Sequence, residues 1–273
     1  MSWQILNFRI LISLAVIIFI FAGCTDSTGP EQRNWQLVWQ DEFDGPAGQS
    51  PDSANWTYDI GTDWGNSQLE YTTDRPENVS MDGEGNLIIT ARREAYMGSA
   101  FTSARIKTQG LFEQAYGRFE ARIRLPFGPG LWPAFWLLGA NITTVDWPAC
   151  GEIDIMEARG QETSTVHGSV HGPGYSGGAA ITKRFDLVQD RFDNDFHLFA
   201  IEWGNDFIDY YVDGKLYQRI TPDDLTGRWV FDHPFYILLN VAVGGTYVGF
   251  PLDSTPFPQT MFVDYVRVYR EVQ

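Results

Sequence analysis

Apolar side chains recur at every second position in several short segments of the chain. Residues 87–91, 117–123 and 262–269 alternate, or nearly alternate, between apolar and polar side chains. This period of two is typical of a strand with one buried face, and the chain lacks the long stretches of helical period that an α-helical domain would show. The pattern therefore predicts an all-β fold.

The turn residues support this prediction. Residues 208–212 and 215–217 flank Asp213 and Gly214, a pair that is typical of a tight hairpin. The one helical turn that we expect lies near residues 221–224, where the Thr221 hydroxyl could cap a turn that starts at a proline. Many short antiparallel strands predict two packed sheets, one of them curved to leave an open groove for a polymer. A closed barrel is the structural alternative.

The first residues have a different character from the rest. Arg9 is followed by an apolar run over residues 10–22, then Gly23 and Cys24. A membrane-spanning helix needs roughly 20 apolar residues, so this shorter run indicates an export signal rather than a retained anchor. Residues 21–24 resemble the bacterial lipobox, whose cysteine is lipidated after cleavage, although simple secretion is the alternative.

These features predict three parts of the chain. Residues 1–23 are the export signal of a lipoprotein, residues 24–34 are a polar tether, and residues 35–273 form one catalytic domain. With 44% hydrophobic residues, a domain of this length can bury a single large core. We expect this domain to be a monomer.

The charge of the chain restricts its partners. A formal net charge of -16 would repel a nucleic-acid backbone or an anionic membrane surface, so a neutral ligand fits better, and the membrane is reached only through the lipid on Cys24. If Cys24 carries lipid, Cys150 is the one remaining cysteine and no disulfide can form. We interpret Cys150 as a buried apolar side chain rather than a catalytic thiol.

Three carboxylates stand close together in an apolar segment over residues 147–160. Strand alternation puts Glu152 and Asp154 on one face, but it would turn Glu157 into the core, where an unpaired charge is too costly. One extra residue at Ile155 and Met156, a β-bulge, would return Glu157 to the carboxylate face. The sequence therefore predicts a bulged strand that displays all three carboxylates.

Paired carboxylates suit glycoside hydrolysis. A retaining enzyme needs an ionised nucleophile and a protonated acid, and crowding raises the proton affinity of at least one carboxylate. We expect Asp154 to hydrogen-bond and orient Glu152, while Glu157 protonates the leaving oxygen and later activates water. A solvated acidic face or a cation site is the alternative interpretation.

The segment resembles the Glu-x-Asp-x-x-Glu signature of glycoside hydrolase family 16. Further similarity to bacterial endo-1,3-β-glucanases, the laminarinases, lies in residues 39–43, 116–122, 131–139, 170–172 and 263–269. The resemblance implies a β-jelly-roll sandwich with a concave cleft and endo-acting, retaining hydrolysis of a β-glucan, with no cofactor for catalysis. It also implies that Glu152 is the nucleophile, Asp154 its assistant and Glu157 the acid and base.

Five further residues are candidates for substrate binding. Trp132 and Trp136 are four apart, so on a strand they share a face on which sugar rings could stack, although two core tryptophans are the alternative. Asn78 and Arg105 resemble family positions that hydrogen-bond sugar hydroxyls. His171, in a glycine-rich stretch, could sit on a mobile cleft loop or on an unrelated surface.

Family members often bind a structural calcium on the convex face, through carbonyls and one aspartate. Glu42, Gly85 and Asp264 match those positions, although Asp264 could equally be a solvated surface residue.

Two alternatives to a 1,3-β-glucanase remain. One is a hydrolase of the same family that acts on mixed-linked 1,3-1,4-β-glucan or an agar-type galactan. The other is a non-catalytic β-glucan-binding protein, since sandwich folds also serve as lectins. The carboxylates favour an enzyme, because a binding protein does not need them.

Overall fold

The computed structural model describes residues 33–272, whose regular elements are strands and three short 3-10 turns with no α-helix among them. The strands are β1 Asn34–Asp41, β2 Thr57–Tyr58, β3 Glu70–Thr72, β4 Val79–Met81, β5 Leu87–Tyr96, β6 Ser99–Ser103, β7 Arg105–Lys107, β8 Gly117–Arg124, β9 Leu131–Gly139, β10 Glu152–Glu157, β11 Thr165–His171, β12 Ile181–Asp186, β13 His197–Trp203, β14 Ile208–Val212, β15 Lys215–Ile220, β16 Phe235–Val243 and β17 Gln259–Val272. The 3-10 turns cover Ala140–Thr143, Gly177–Ala179 and Pro222–Asp224.

The strands form two sheets. The first sheet has ten strands in the order β15-β14-β13-β8-β17-β5-β6-β3, with β1 beside β17 and β4 beside β5. The second sheet has seven strands in the order β12-β11-β10-β9-β16-β7-β2. All strand pairs are antiparallel except β3 with β6. The all-β jelly-roll sandwich expected from the sequence is confirmed.

The main core lies between the two sheets. Every second residue of the long strands contributes to it, and Phe119, Phe199, Phe135 and Ile153 are fully buried there. We call the opposite side of the second sheet the cleft face. It carries a smaller apolar cluster of Leu138, Cys150, Tyr236 and Leu238, against which Trp136 and the 3-10 turn after β9 pack. Cys150 is completely buried, as the sequence predicted.

The predicted strands and the hairpin at residues 208–217 are present at their expected positions. The turn at Pro222–Asp224 is also present, with a capping box between Thr221 and Asp224. The Thr221 hydroxyl and its backbone N–H both donate to the Asp224 carboxylate, each over 2.8 Å. Thr221 and Asp224 thus cap the turn together.

The predicted export signal and Cys24 lie outside the described residues. Within residues 33–272, the structure has no helix long and apolar enough to cross a membrane.

Candidate active site

A β-bulge in β10 brings the three carboxylates to one face. In the pairing of β10 with β9, Asp154 lies opposite Trp136, yet Met156 already lies opposite Phe135, so Ile155 is the extra residue. Ile155 and Met156 are both buried in the main core, and Glu157 returns to the cleft face. The predicted bulge is confirmed, and the cost of burying a charge explains why both apolar side chains turn inward.

Glu152 is held by an indole from the loop before its own strand. The N–H of Trp147 donates a 2.9 Å hydrogen bond to Oε2 of Glu152. The Trp147 ring is 45% exposed, and its centroid lies 6.0 Å from that of His171. An N–H donor stabilises the ionised carboxylate, which is the form that a nucleophile needs.

The imidazole of His171 lies beside both Asp154 and Glu152. Its Nε2 lies 3.0 Å from Asp154 Oδ2 and 3.7 Å from Glu152 Oε1. The Gly177 backbone N–H donates to Nδ1 over 3.0 Å, so Nδ1 carries a lone pair and the ring proton sits on Nε2, facing the carboxylates. The expected hydrogen bond between Asp154 and Glu152 is not among the contacts of the described residues, and the imidazole of His171 lies near both carboxylates instead.

Glu157 lies against a wall of aromatic side chains. The Trp132 indole N–H donates a 2.7 Å hydrogen bond to Glu157 Oε1. Tyr247 packs against both Trp132 and His167, with ring centroids 5.0 and 6.0 Å apart. The Arg159 guanidinium lies 4.4 Å from the Tyr247 ring centroid. This wall excludes water from one side of Glu157.

A second group of flat side chains continues the cleft face away from β10. The Trp136 indole N–H donates to Asn240 Oδ1 over 2.8 Å. The Arg105 guanidinium lies 4.7 Å from the Trp136 ring and 5.3 Å from the Trp64 ring, and Asp59 Oδ2 lies 3.0 Å from its Nε. The structure therefore places Arg105 against Trp136 on the cleft face, while Trp132 contacts Glu157 directly.

Burial shifts the proton affinities of all three carboxyl groups. Burial first, and then the charge of Asp154, raise the pKa of Glu152 to about 8 and that of Glu157 to about 8. Burial alone raises the pKa of Asp154 to about 8. The hydrogen bonds from Trp147 and Trp132 oppose this rise in the two glutamates. The cluster therefore retains at least one proton at neutral pH, as a carboxylic acid catalyst requires.

Glu152, Asp154 and His171 also place one possible metal-ligand atom each within 4.8 Å of one another. In this arrangement the Nε2 lone pair of His171 is not available, because Nδ1 accepts the Gly177 N–H and the proton therefore occupies Nε2. The set is better suited to sharing protons than to holding a cation, in contrast with the cation site considered from the sequence.

Comparison with known proteins agrees with this geometry. Residues 58–266 match the family model described as glycosyl hydrolases family 16. The chain belongs to this family. A "Beta-glucanase" of Rhodothermus marinus is 41% identical over 95% of this chain and 94% of its own length.

Two solved structures have the same fold. The laminarinase catalytic domain of Thermotoga maritima superposes with a TM-score of 0.83 at 48% identity, covering 88% of this chain and 100% of that chain. The endo-β-1,3-glucanase of Pyrococcus furiosus gives a TM-score of 0.84 at 46% identity, covering 88% and 96%.

Asn78 differs from the expectation for a sugar-binding residue. It is completely buried, and its amide oxygen accepts hydrogen bonds from Thr73 and Arg75 while its amide nitrogen donates to Thr90 and Thr102. With both ends of the amide occupied, no group remains for a sugar hydroxyl. Asn78 is therefore a buried structural residue in this member of family 16, and the sequence prediction was wrong.

The three residues matched to a calcium site lie around one end of the first sheet. Asp41 pairs with Val266 and Leu87 pairs with Val263, which places Glu42, Gly85 and Asp264 near one another. The Glu42 carboxylate is held by Arg267 over 2.7 and 2.8 Å, and Asp264 Oδ2 lies 2.6 Å from Arg122. Main-chain carbonyls and Asp264 Oδ1 are thus the oxygens left for a cation.

Several residues of the site were missed from the sequence. Trp147, Asn240, Tyr247 and Asp59 each contact a predicted site residue, but they come from loops or from strands far away in the chain. Only Trp147 carried a local signal, since it lies five residues before Glu152 in the same apolar segment, residues 147–160.

Proposed function

We propose that this protein is an endo-hydrolase of 1,3-β-glucosidic linkages in laminarin-type β-glucans, acting with retention of configuration. The observation that carries the proposal is the paired arrangement of Glu152 and Glu157 on one face of β10, each with an indole N–H on its carboxylate. This arrangement provides a nucleophile and an acid that can flank the scissile bond of a bound polymer.

The first step begins with a protonated Glu157. Its carboxylic acid transfers the proton to the glycosidic oxygen, while a Glu152 oxygen attacks the anomeric carbon and the bond to the leaving sugar breaks. The product is a glycosyl ester of Glu152 and a sugar with a new hydroxyl. The Nε2–H of His171, which faces both Asp154 and Glu152, offsets negative charge on the nucleophile's side.

In the second step Glu157, now ionised, removes a proton from a water molecule. The resulting hydroxide attacks the same carbon and breaks the ester, which restores the β configuration and the carboxylate of Glu152. Two inversions at one carbon give net retention. None of these steps needs a cofactor.

The choice of substrate rests on two supports. The relatives named above are called a beta-glucanase, a laminarinase and an endo-β-1,3-glucanase. In addition, the net charge of -16 favours a neutral glucan over a sulfated polymer.

The test is reducing-sugar release by residues 33–273, which keep all of β1 and the ion pair of Arg33 with Glu202, on laminarin, with mixed-linked glucan and agarose in parallel. Rapid release from laminarin that is abolished in Glu152→Gln supports the proposal. Release only from another polymer would keep the mechanism and overturn the substrate. Tight binding of laminarin without release would favour the non-catalytic binding protein. Size-exclusion chromatography tests the expected monomer.

We also propose that Glu42, Gly85 and Asp264 bind a structural calcium ion. Two carbonyls and Asp264 Oδ1 supply the hard oxygen ligands that calcium prefers. Calcium should raise the melting temperature of the wild type, EDTA should reverse the gain, and Asp264→Asn should lose it. An equal gain in the variant would contradict this site.

A third proposal concerns localisation: the protein is exported and held at the bacterial cell surface by lipid on Cys24, or is secreted. The apolar run before Cys24 supports it. Full-length protein expressed in bacteria should partition into detergent, and Cys24→Ser should release it. A soluble wild type outside the cell would indicate secretion instead.

A further inference from the structure

The register of the second sheet places six residues in one row across the strands. Glu157 pairs with Ala134 on one side and with His167 on the other. Ala134 pairs with Asn240, which pairs with Arg105, and His167 pairs with Arg184. We call Arg105, Asn240, Ala134, Glu157, His167 and Arg184 the transverse row.

Directly paired residues on antiparallel strands project from the same side of a sheet. The transverse row therefore lies on the cleft face, and it crosses β7, β16, β9, β10, β11 and β12. At its centre, the small side chain of Ala134 lies between Trp132 and Trp136 on the same strand and leaves room beside Glu157. A polymer that follows this row passes directly over the acid and base.

The two halves of the row differ in chemistry. On the side of β9, the row runs beside Trp132, Trp136 and Trp64, which offer flat apolar faces to sugar rings. On the side of β12 the Tyr247 ring lies beside His167, and the row then becomes polar and open at Arg184, which is 70% exposed.

The orientation of Arg184 follows from its neighbours on β12. Phe185 packs towards the first sheet, with its ring 5.5 Å from that of Tyr217, while Thr182 bonds to Ser169 over 2.9 Å. Arg184 shares the face of Thr182, and Lys183 shares the face of Phe185. Asp186 Oδ2, on the same face of the strand, lies 3.0 Å from Arg184 Nε.

We propose that Arg184, together with His167 at the same register, forms the binding site for the leaving sugar, and that Arg184 donates hydrogen bonds to its ring hydroxyls. This inference rests on the proposed function. A guanidinium offers paired donors that match neighbouring hydroxyls on a sugar ring.

The assignment of the two halves follows from the two-step reaction. After the first step, one part of the polymer stays covalently attached to Glu152 while the other part departs and water enters. The aromatic half can keep the attached part of the polymer bound by stacking on its sugar rings, whereas the exposed polar half lets a product leave. The leaving part therefore lies over β11 and β12.

The experiment compares two substrates that share the same glycosyl part, which becomes attached to Glu152, and differ in the leaving group. One is a 1,3-linked gluco-oligosaccharide, whose leaving group is a sugar, and the other is the nitrophenyl glycoside of a shorter oligosaccharide, whose leaving group has no ring hydroxyls. Arg184→Ala should lower kcat/KM for the oligosaccharide about tenfold, as expected for a lost charged hydrogen bond in an exposed site, and should leave the nitrophenyl glycoside nearly unchanged. Transfer of the glycosyl group to added oligosaccharide should fall in parallel.

Lys183→Ala is the matched control, since it removes one positive charge from the opposite face of the same strand. It should change neither substrate's kinetics. An equal fall for both substrates in Arg184→Ala, or no fall for either, would overturn the proposal. If the wild type cleaves a different polymer, the proposed function fails on that result, and the same two-substrate comparison with that polymer's oligosaccharides still decides the role of Arg184.

Discussion

The indole N–H of Trp132 donates a 2.7 Å hydrogen bond to Oε1 of Glu157, across 25 positions of the chain. The same type of bond joins Trp147 to Glu152. The carboxylates of Glu152 and Glu157 are therefore each held by one tryptophan that also presents its ring to the cleft. This double role makes the pH dependence of activity sensitive to both tryptophans.

Trp132→Phe should shift the alkaline limb of the kcat/KM profile to higher pH. In the wild type, the hydrogen bond from Trp132 lowers the pKa of Glu157. Removal of this bond raises that pKa further and keeps the acid protonated over a wider pH range. The rate at the optimum should fall about tenfold, because the acid is less well positioned. Trp136→Phe, which removes a donor to Asn240 instead, is the control and should leave the alkaline limb in place.

Trp147→Phe should instead move the acidic limb to higher pH. The Trp147 N–H lowers the pKa of Glu152, and without it the nucleophile is protonated at pH values where the wild type is ionised. Activity at pH 5 should therefore fall more than activity at pH 8. An unchanged melting temperature should accompany the shift, since the ring is 45% exposed. A profile that is lowered uniformly, with the acidic limb unmoved, would argue against this role.

Glu157→Gln should stabilise the protein at alkaline pH relative to the wild type. Folding raises the pKa of Glu157 from 4.5 to about 8 through burial, so the folded state binds the proton more tightly than the unfolded state. The stability that this carboxyl group contributes is then fully present below about pH 4.5 and is lost as pH rises through about 8.

The neutral side-chain amide of the Glu157→Gln variant does not titrate, so the variant does not lose this contribution to stability. The difference in melting temperature between Glu157→Gln and the wild type should thus grow from pH 5 to pH 9, by roughly 2–4 °C for each 1 kcal/mol gained. Glu84→Gln, in an exposed turn, removes the same formal charge and serves as the control. A constant difference across this range would show that burial does not perturb the Glu157 carboxyl.

Asn78→Ala should destabilise the fold without weakening substrate binding. The buried Asn78 amide makes four hydrogen bonds. In the variant the partner groups would lack a hydrogen-bond partner, which should lower the free energy of unfolding by about 2–3 kcal/mol. Urea unfolding measures the loss, and KM for laminarin should stay the same. A higher KM at unchanged stability would restore the sugar-binding interpretation.

The catalytic strand was accessible from the sequence because two local rules act on it together. Strands alternate with a strict period of two, and a carboxylate cannot be buried without a partner, so Glu152, Asp154 and Glu157 could share a face only through a bulge at Ile155 and Met156. The structure has that bulge. Neither rule requires knowledge of any other strand.

Which other polar side chains reach the cleft face was decided by the tertiary structure. Asn78 and Arg105 carry equally suitable polar groups, yet strand packing buries Asn78 completely and places Arg105 against Trp136 on the cleft face. The transverse row from Arg105 to Arg184 likewise exists only through the register of six strands. The chain alone determined which residues can do the chemistry, since alternation and burial cost are local. Which side chains surround them was decided by long-range strand pairing, which no local pattern encodes.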